Sequence, residues 1–222
     1  PILSNSQYEK FVNFFKNKIK VLDCTFTIES NLKESLDYLS KEAEIAVREG
    51  FKHIILSDKK ISNKKVAIPM ILAFGAVNSK LMNLGIRGFV SINVQTGETL
   101  DTHSFAVFLG IGATTINPYL AFDSIYQRYQ KKLFGKLSYE ECVKRYIKSV
   151  DNGLLKIMSK MGISILSAYR GGCNFETVGL SRAVVAEYFP GMVSRISGIG
   201  ISGIEKKIKK LHETAFEKNI SI

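Results

Sequence analysis

Short β-rich runs alternate with helix-length amphipathic segments along most of this chain, and that order excludes most folds before composition is considered. VLDCTF (residues 21–26), HIILSD (53–58), GFVSINV (88–94), residues 114–118 and ISILSAY (163–169) read as five strands. Between the first two, Leu32, Leu36, Leu39 and Ala43 recur at helical spacing, opened by an Asn31/Glu34 capping pattern and stopped by Gly50. Between the second and third, Pro69 leads a helix marked by Met70, Phe74, Val77 and Leu81, and Gly85 ends it. THSFAVFLGIG, from Thr102, reads as a short helix or as a buried strand. Strand, helix, strand in this order calls for parallel pairing through right-handed crossovers. The expectation is an α/β fold in one domain over 1–222, a mostly parallel sheet or partial barrel of βα units with helices packed outside.

The flanks are read the same way. Tyr8, Phe11, Val12 and Phe15 predict a short helix that covers one end of the core. Phe122, Tyr126, Tyr129 and Leu133 mark a helix ended at Gly135, and Ser138 with Glu141 starts another that Asp151, Asn152 and Gly153 should interrupt. Ser181 is a good N-cap for a helix with Val184, Val185 and Tyr188, stopped by Pro190. The glycine-spaced stretch 194–204 reads as irregular, and a final helix runs from Ile204 through Ile208 and Leu211.

In α/β proteins ligands gather where strands exit, which here points to Asp23, Thr25, Ser57, Asp58, Asn93, Glu98, Asn117, Tyr169 and Arg170. Arg170, Gly171 and Gly172 offer a fixed cation and open amides that suit a phosphate or carboxylate; alternatively Arg170 pairs with Glu176 and orders the turn. Arg195, between serines and glycine, has the same two readings. Asp23, Asp58 and Glu98 supply carboxylates, yet helix capping explains each as well as acid and base work does. Cys24, Cys142 and Cys173 are too far apart for a metal knuckle or a disulfide framework, and the three histidines have no ligand spacing. No metal site is expected, and the cysteines suit a reducing, cytoplasmic setting. The net charge of +11 is dispersed over helix faces, so nucleic acid is not expected, and no membrane span is read.

Several long motifs, in order, carry a resemblance. LDCTF (22–26), HIILSD (53–58), IPMILAFGAV (68–77), THSFAVFLGIGATTINPYLAF (102–122), GLLKIMSKMGIS with YRGGCNFETVGL, and then YFPG and SRISG resemble the central domain of the large, or alpha, subunit of glutamate synthase. The resemblance covers essentially the whole chain. It implies a domain that links a glutaminase domain to an FMN-dependent synthase domain of the same polypeptide, in making L-glutamate from L-glutamine and 2-oxoglutarate, and that helps form the ammonia route between them. It further implies that FMN, a 3Fe-4S cluster and the nucleophilic cysteine lie in the other domains, that an electron-supplying small subunit is a potential partner, and that this segment carries no cofactor or catalytic residue of its own. Asp23, Thr25, Ser57, Asp58, Asn117, Tyr169, Arg170, Glu176 and Arg195 are then candidate interface or channel-facing residues. The sequence departs from the family pattern at Asn78–Lys80, where relatives carry a histidine-rich run, at Ser104, and at Cys173. The alternative reading is a self-sufficient α/β enzyme that holds a small phosphorylated or carboxylate substrate near Arg170, with Asp23 or Asp58 as base.

Overall fold

The computed structural model describes residues 1–217. In chain order the elements are α1 (Asn5–Phe14), β1 (Ile19–Asp23), β2 (Thr25–Thr27), α2 (Leu32–Arg48), β3 (His53–Ser57), β4 (Lys65–Ala67), α3 (Met70–Asn83), β5 (Ser91–Gln95), α4 (Thr102–Gly110) and β6 (Thr115–Asn117). They continue with α5 (Tyr119–Gln130), α6 (Tyr139–Lys160), α7 (Leu166–Tyr169), β7 (Glu176–Leu180), α8 (Arg182–Tyr188), β8 (Val193–Ile199) and α9 (Ile201–Phe216). Side-chain caps start many of the helices. Ser4 and Gln7 close a capping box on α1, and Asn31, Asp101, Ser138 and Ser181 accept the backbone N–H three residues on.

The main sheet has the order β1-β3-β5-β6, all parallel, as expected for βα units. Leu22, Leu56, Val94 and Ile116 stand in one register row and belong to the core cluster with Leu36 of α2, Phe74 of α3 and Phe105 of α4. Spatial order follows chain order without reversal, so this sheet has no switch-point crevice. The sheet is open, not a barrel. β2 and β4 form a small antiparallel ladder beside it, and β7 and β8 a separate parallel pair. Among the described residues no helix is long and apolar enough to cross a membrane.

Three local expectations are corrected. The expected fifth strand, 163–169, is extended backbone followed by the single turn α7, because no sheet strand offers it a partner. α6 runs unbroken through Asp151, Asn152 and Gly153; a Cβ at Gly153 would meet Thr102 Cγ2 at 2.5 Å, so this glycine admits a close helix crossing with α4 instead of ending the helix. The stretch 194–204 is not irregular but holds β8 and the start of α9, whose first residue is Ile201.

Candidate functional site

A parallel sheet covered on both faces normally carries apolar residues on both. Here one face is polar. Side chains alternate across the pleat, so the residues flanking the core row form the opposite face: Val21, Ile55, Asn93 and Thr115 in one register row, and Asp23, Ser57, Gln95 and Asn117 in the last row before the strands end. In that last row Ser57 Oγ donates to Gln95 Oε1 at 2.7 Å, Gln95 Nε2 to Asn117 Oδ1 at 3.2 Å, and Asn117 Nδ2 to Leu3 O and to Asn5 Oδ1, each at 3.0 Å. One row back, Thr115 Oγ1 donates to Asn93 Oδ1 at 2.7 Å, and Asn93 Nδ2 to Ile54 O at 3.2 Å. Neutral groups thus satisfy one another across three strands, which makes the burial of Ser57, Asn93, Gln95 and Asn117 tolerable. α1 lies along this face: Asn5 meets Asn117, while Phe11 and Phe15 pack on the His53 ring.

The strand exits hold three carboxylates, Asp23, Asp58 and Glu98. Asp58, 1% exposed, accepts from Thr96 Oγ1 at 2.6 Å and from the Gly97 N–H at 3.0 Å. Desolvation outweighs these bonds and raises its pKa. Glu98 Oε2 accepts the Met70 N–H at 2.9 Å and so caps α3 behind Pro69, where no cap side chain is available. Desolvation of that carboxyl, followed by the Asp58 charge, raises its pKa too, although the residue as a whole keeps contact with solvent. Asp23 behaves in the opposite way. Against a desolvation penalty, the Thr25 hydroxyl at 2.7 Å and Lys65 at 3.1 Å hold its carboxyl below the usual range.

Of the nine residues proposed from sequence, five meet at this end: Asp23, Thr25, Ser57, Asp58 and Asn117. Four do not. Arg170 sits at the opposite end of the strands, since the strand expected to carry Tyr169 and Arg170 does not form: its Nε and Nη2 donate to Ala113 O and Thr114 O, just before β6, each at 2.9 Å. Tyr169 is buried, with its hydroxyl on Ala106 O at 3.2 Å. Arg170 also does not pair with Glu176, whose partner is Arg195 on the neighbouring strand at 3.3 Å, an exposed pair on the β7–β8 unit. The alternative enzyme reading needs Arg170 beside Asp23 or Asp58, and the fold puts a sheet length between them.

Gln95 and Thr96 escaped sequence reasoning. The signal for Gln95 was present: it shares the parity of Ser91 and Asn93, with apolar Ile92 and Val94 alternating between them. Cys24, wholly buried with its thiol pushed up by desolvation, is a poor nucleophile. His53, His103 and His212 lie on β3, α4 and α9, and no group of three or more metal-ligating side chains occurs among the described residues. The arrangement positions and neutralises; it presents no aligned nucleophile and base.

Residues 1–181 match the protein family described as glutamate synthase central domain. The chain is 47% identical over 223 residues to the glutamate synthase (NADPH) large chain of Azospirillum brasilense, covering 99% of this chain and 15% of that one. It is 38% identical to the corresponding large chain of Bacillus subtilis, covering 100% of this chain and 14% of the relative. A ferredoxin-dependent, chloroplastic glutamate synthase of Oryza sativa is 38% identical over 234 residues, with 99% and 14% covered. The chain therefore spans about one seventh of the length of the curated relatives it matches.

Proposed function

The chain belongs to the glutamate synthase central domain family, and from that premise we propose that it links the glutaminase part to the FMN-dependent synthase part of a longer polypeptide that makes L-glutamate from L-glutamine and 2-oxoglutarate. The observation that carries this reading is the unfinished β7–β8 unit. Val178, paired with Ile196, is 63% exposed and Ile196 60%; Val193 and Ile199 of the same strand pair are exposed as well. A two-stranded parallel sheet has too little of its own surface to hide such a face. Apolar exposure on paired strands, Val178 against Ile196 with Val193 and Ile199 beside them, is what a docking surface for the adjoining polypeptide presents.

The polar face of the main sheet supports the second half of the reading, an ammonia route. A neutral amine crossing a protein needs walls that hydrogen-bond without fixing it as ammonium, and Ser57, Asn93, Gln95, Thr115 and Asn117 are neutral and already bonded to one another. Fixed negative charge stays at the rim, on Asp23, Asp58 and Glu98.

FMN, a 3Fe-4S cluster and the glutaminase nucleophile belong, in this proposal, to other parts of the polypeptide, and an electron-supplying small subunit to the assembly. The residues of this chain do not fit a cluster: Cys24 is buried between β1 and β2, Cys142 is buried on α6, and Cys173 is exposed in the loop before β7. Three free thiols suit a reducing compartment such as the cytoplasm, and the reaction serves ammonia assimilation. The test is Ile196→Asp in the full-length polypeptide, with glutamine hydrolysis and glutamate formation measured separately. A linking domain predicts that hydrolysis continues while glutamate formation falls several-fold; unchanged coupling in a folded variant contradicts it.

A further inference from the structure

Two arginines lie side by side at the edge of the sheet where β5 and β6 begin, and neither has an anion. Arg87 donates from Nε to Asn78 Oδ1 at 2.6 Å, from Nη1 to Val90 O at 2.7 Å and from Nη2 to Gly112 O at 3.1 Å. Arg170 holds the next two carbonyls of the same loop, Ala113 and Thr114. Both side chains are partly buried, and among the described residues no carboxylate lies within ion-pair distance of either. The acceptors of the two guanidinia are Asn78 Oδ1 and backbone carbonyls, all neutral, so two like charges share a half-dry site without an ion pair among the described residues. Desolvation and the charge of Arg170 both disfavour the charged state of Arg87.

We propose that Arg87 and Arg170 form a carboxylate-binding site at this edge of the sheet. Donors remain on both Nη atoms of Arg87 and on Nη1 of Arg170, and pinning of each guanidinium by backbone carbonyls fixes its plane in advance, as a two-oxygen acceptor requires. Phosphate fits less well. Phosphate sites are built from converging backbone N–H groups, whereas this rim is made of the carbonyl oxygens of Val90, Gly112, Ala113 and Thr114, which repel a dianion. The carboxylate can come from an Asp or Glu elsewhere in the long polypeptide or from a small carboxylic acid in solution.

The test uses the full-length polypeptide. Its structure, determined with succinate in the solution, is expected to show one carboxylate in contact with both guanidinia, and whether that group is succinate or an acidic side chain identifies the source. Calorimetric titration with succinate separates the two independently. A site for a free acid binds succinate, and Arg170→Gln weakens binding about tenfold or more. A site filled by the polypeptide binds none, and Arg170→Gln then lowers the melting temperature further than Arg170→Lys, which keeps the charge. Guanidinia that face only water and carbonyl oxygens with succinate present, or inorganic phosphate bound there in preference to succinate, overturn the assignment.

Discussion

The molecule contains two parallel sheets that obey the same local rules and end in different conditions. In the main sheet Ile54, Leu56, Ile92 and Val94 are buried, and Ser57, Asn93, Gln95 and Asn117 of its polar face are buried too, bonded to one another and to α1, with Val21 on the edge strand exposed. The β7–β8 pair has one crossover helix, α8, and Val184 and Val185 of that helix are buried. Among the described residues its other face is exposed, so the same βα logic gives a buried core in one region and an uncovered apolar face in the other. The family match stops at residue 181, between β7 and α8, so most of the unfinished unit lies beyond it. Completeness here depends on the number of layers, not on strand type.

Four substitutions or titrations probe that contrast. Leu56→Ala opens a cavity in the finished core and should lower unfolding free energy by about 2–5 kcal/mol, read from urea denaturation. Gly198→Ala comes next. Its Cβ would clash with Gly179 O on the facing strand, so the two strands must separate, at about 1–3 kcal/mol, with hydrogen exchange accelerated in residues 176–199 and unchanged in the main sheet.

The third test uses pH. Asp58 and Glu98 have raised pKa values, so the folded state binds their protons more tightly than the unfolded chain does. Their contribution is harmless below the ordinary carboxylate range, about 4, and removes stability as pH rises from there through the raised values. Asp23, whose pKa is lowered, stabilises above its ordinary value and loses that stabilisation as pH falls through the lowered one. Urea midpoints of Asp58→Asn should therefore depend less on pH than those of the parent above about 4. The smallest effect belongs to the open face. Ile196→Ala removes atoms that already meet water and should change the stability of this chain by less than about 0.5 kcal/mol.

The main sheet was legible because each strand and its following helix carry local signals: the Asn31, Ser138 and Ser181 caps formed as read, and Gly50, Gly85 and Gly162 end helices with positive φ. What failed needed knowledge of neighbours. ISILSAY has strand-like side chains but no strand to pair with, while 194–199 is rich in glycine and serine yet finds β7 beside it. The site split for the same reason. Asp23, Ser57 and Asn117 share one end because strand ends are visible in sequence, whereas Arg170 lies where β6 begins because the strand expected to carry it does not form, and Arg87 emerged only from the carbonyls it binds. A glycine such as Gly153 reads as a helix stop or as a close crossing with equal ease until the facing Thr102 is known.

The central claim is that the β7–β8 face is completed by the rest of a longer polypeptide. Amide hydrogen exchange of residues 193–199, compared between this segment and the full-length chain, tests it most directly. Exchange should be slower in the full-length chain at β8, while the amides of β3 and β5 change little. Equal rates at β8 in the two would contradict the account, because they would show that nothing covers Val178 and Ile196.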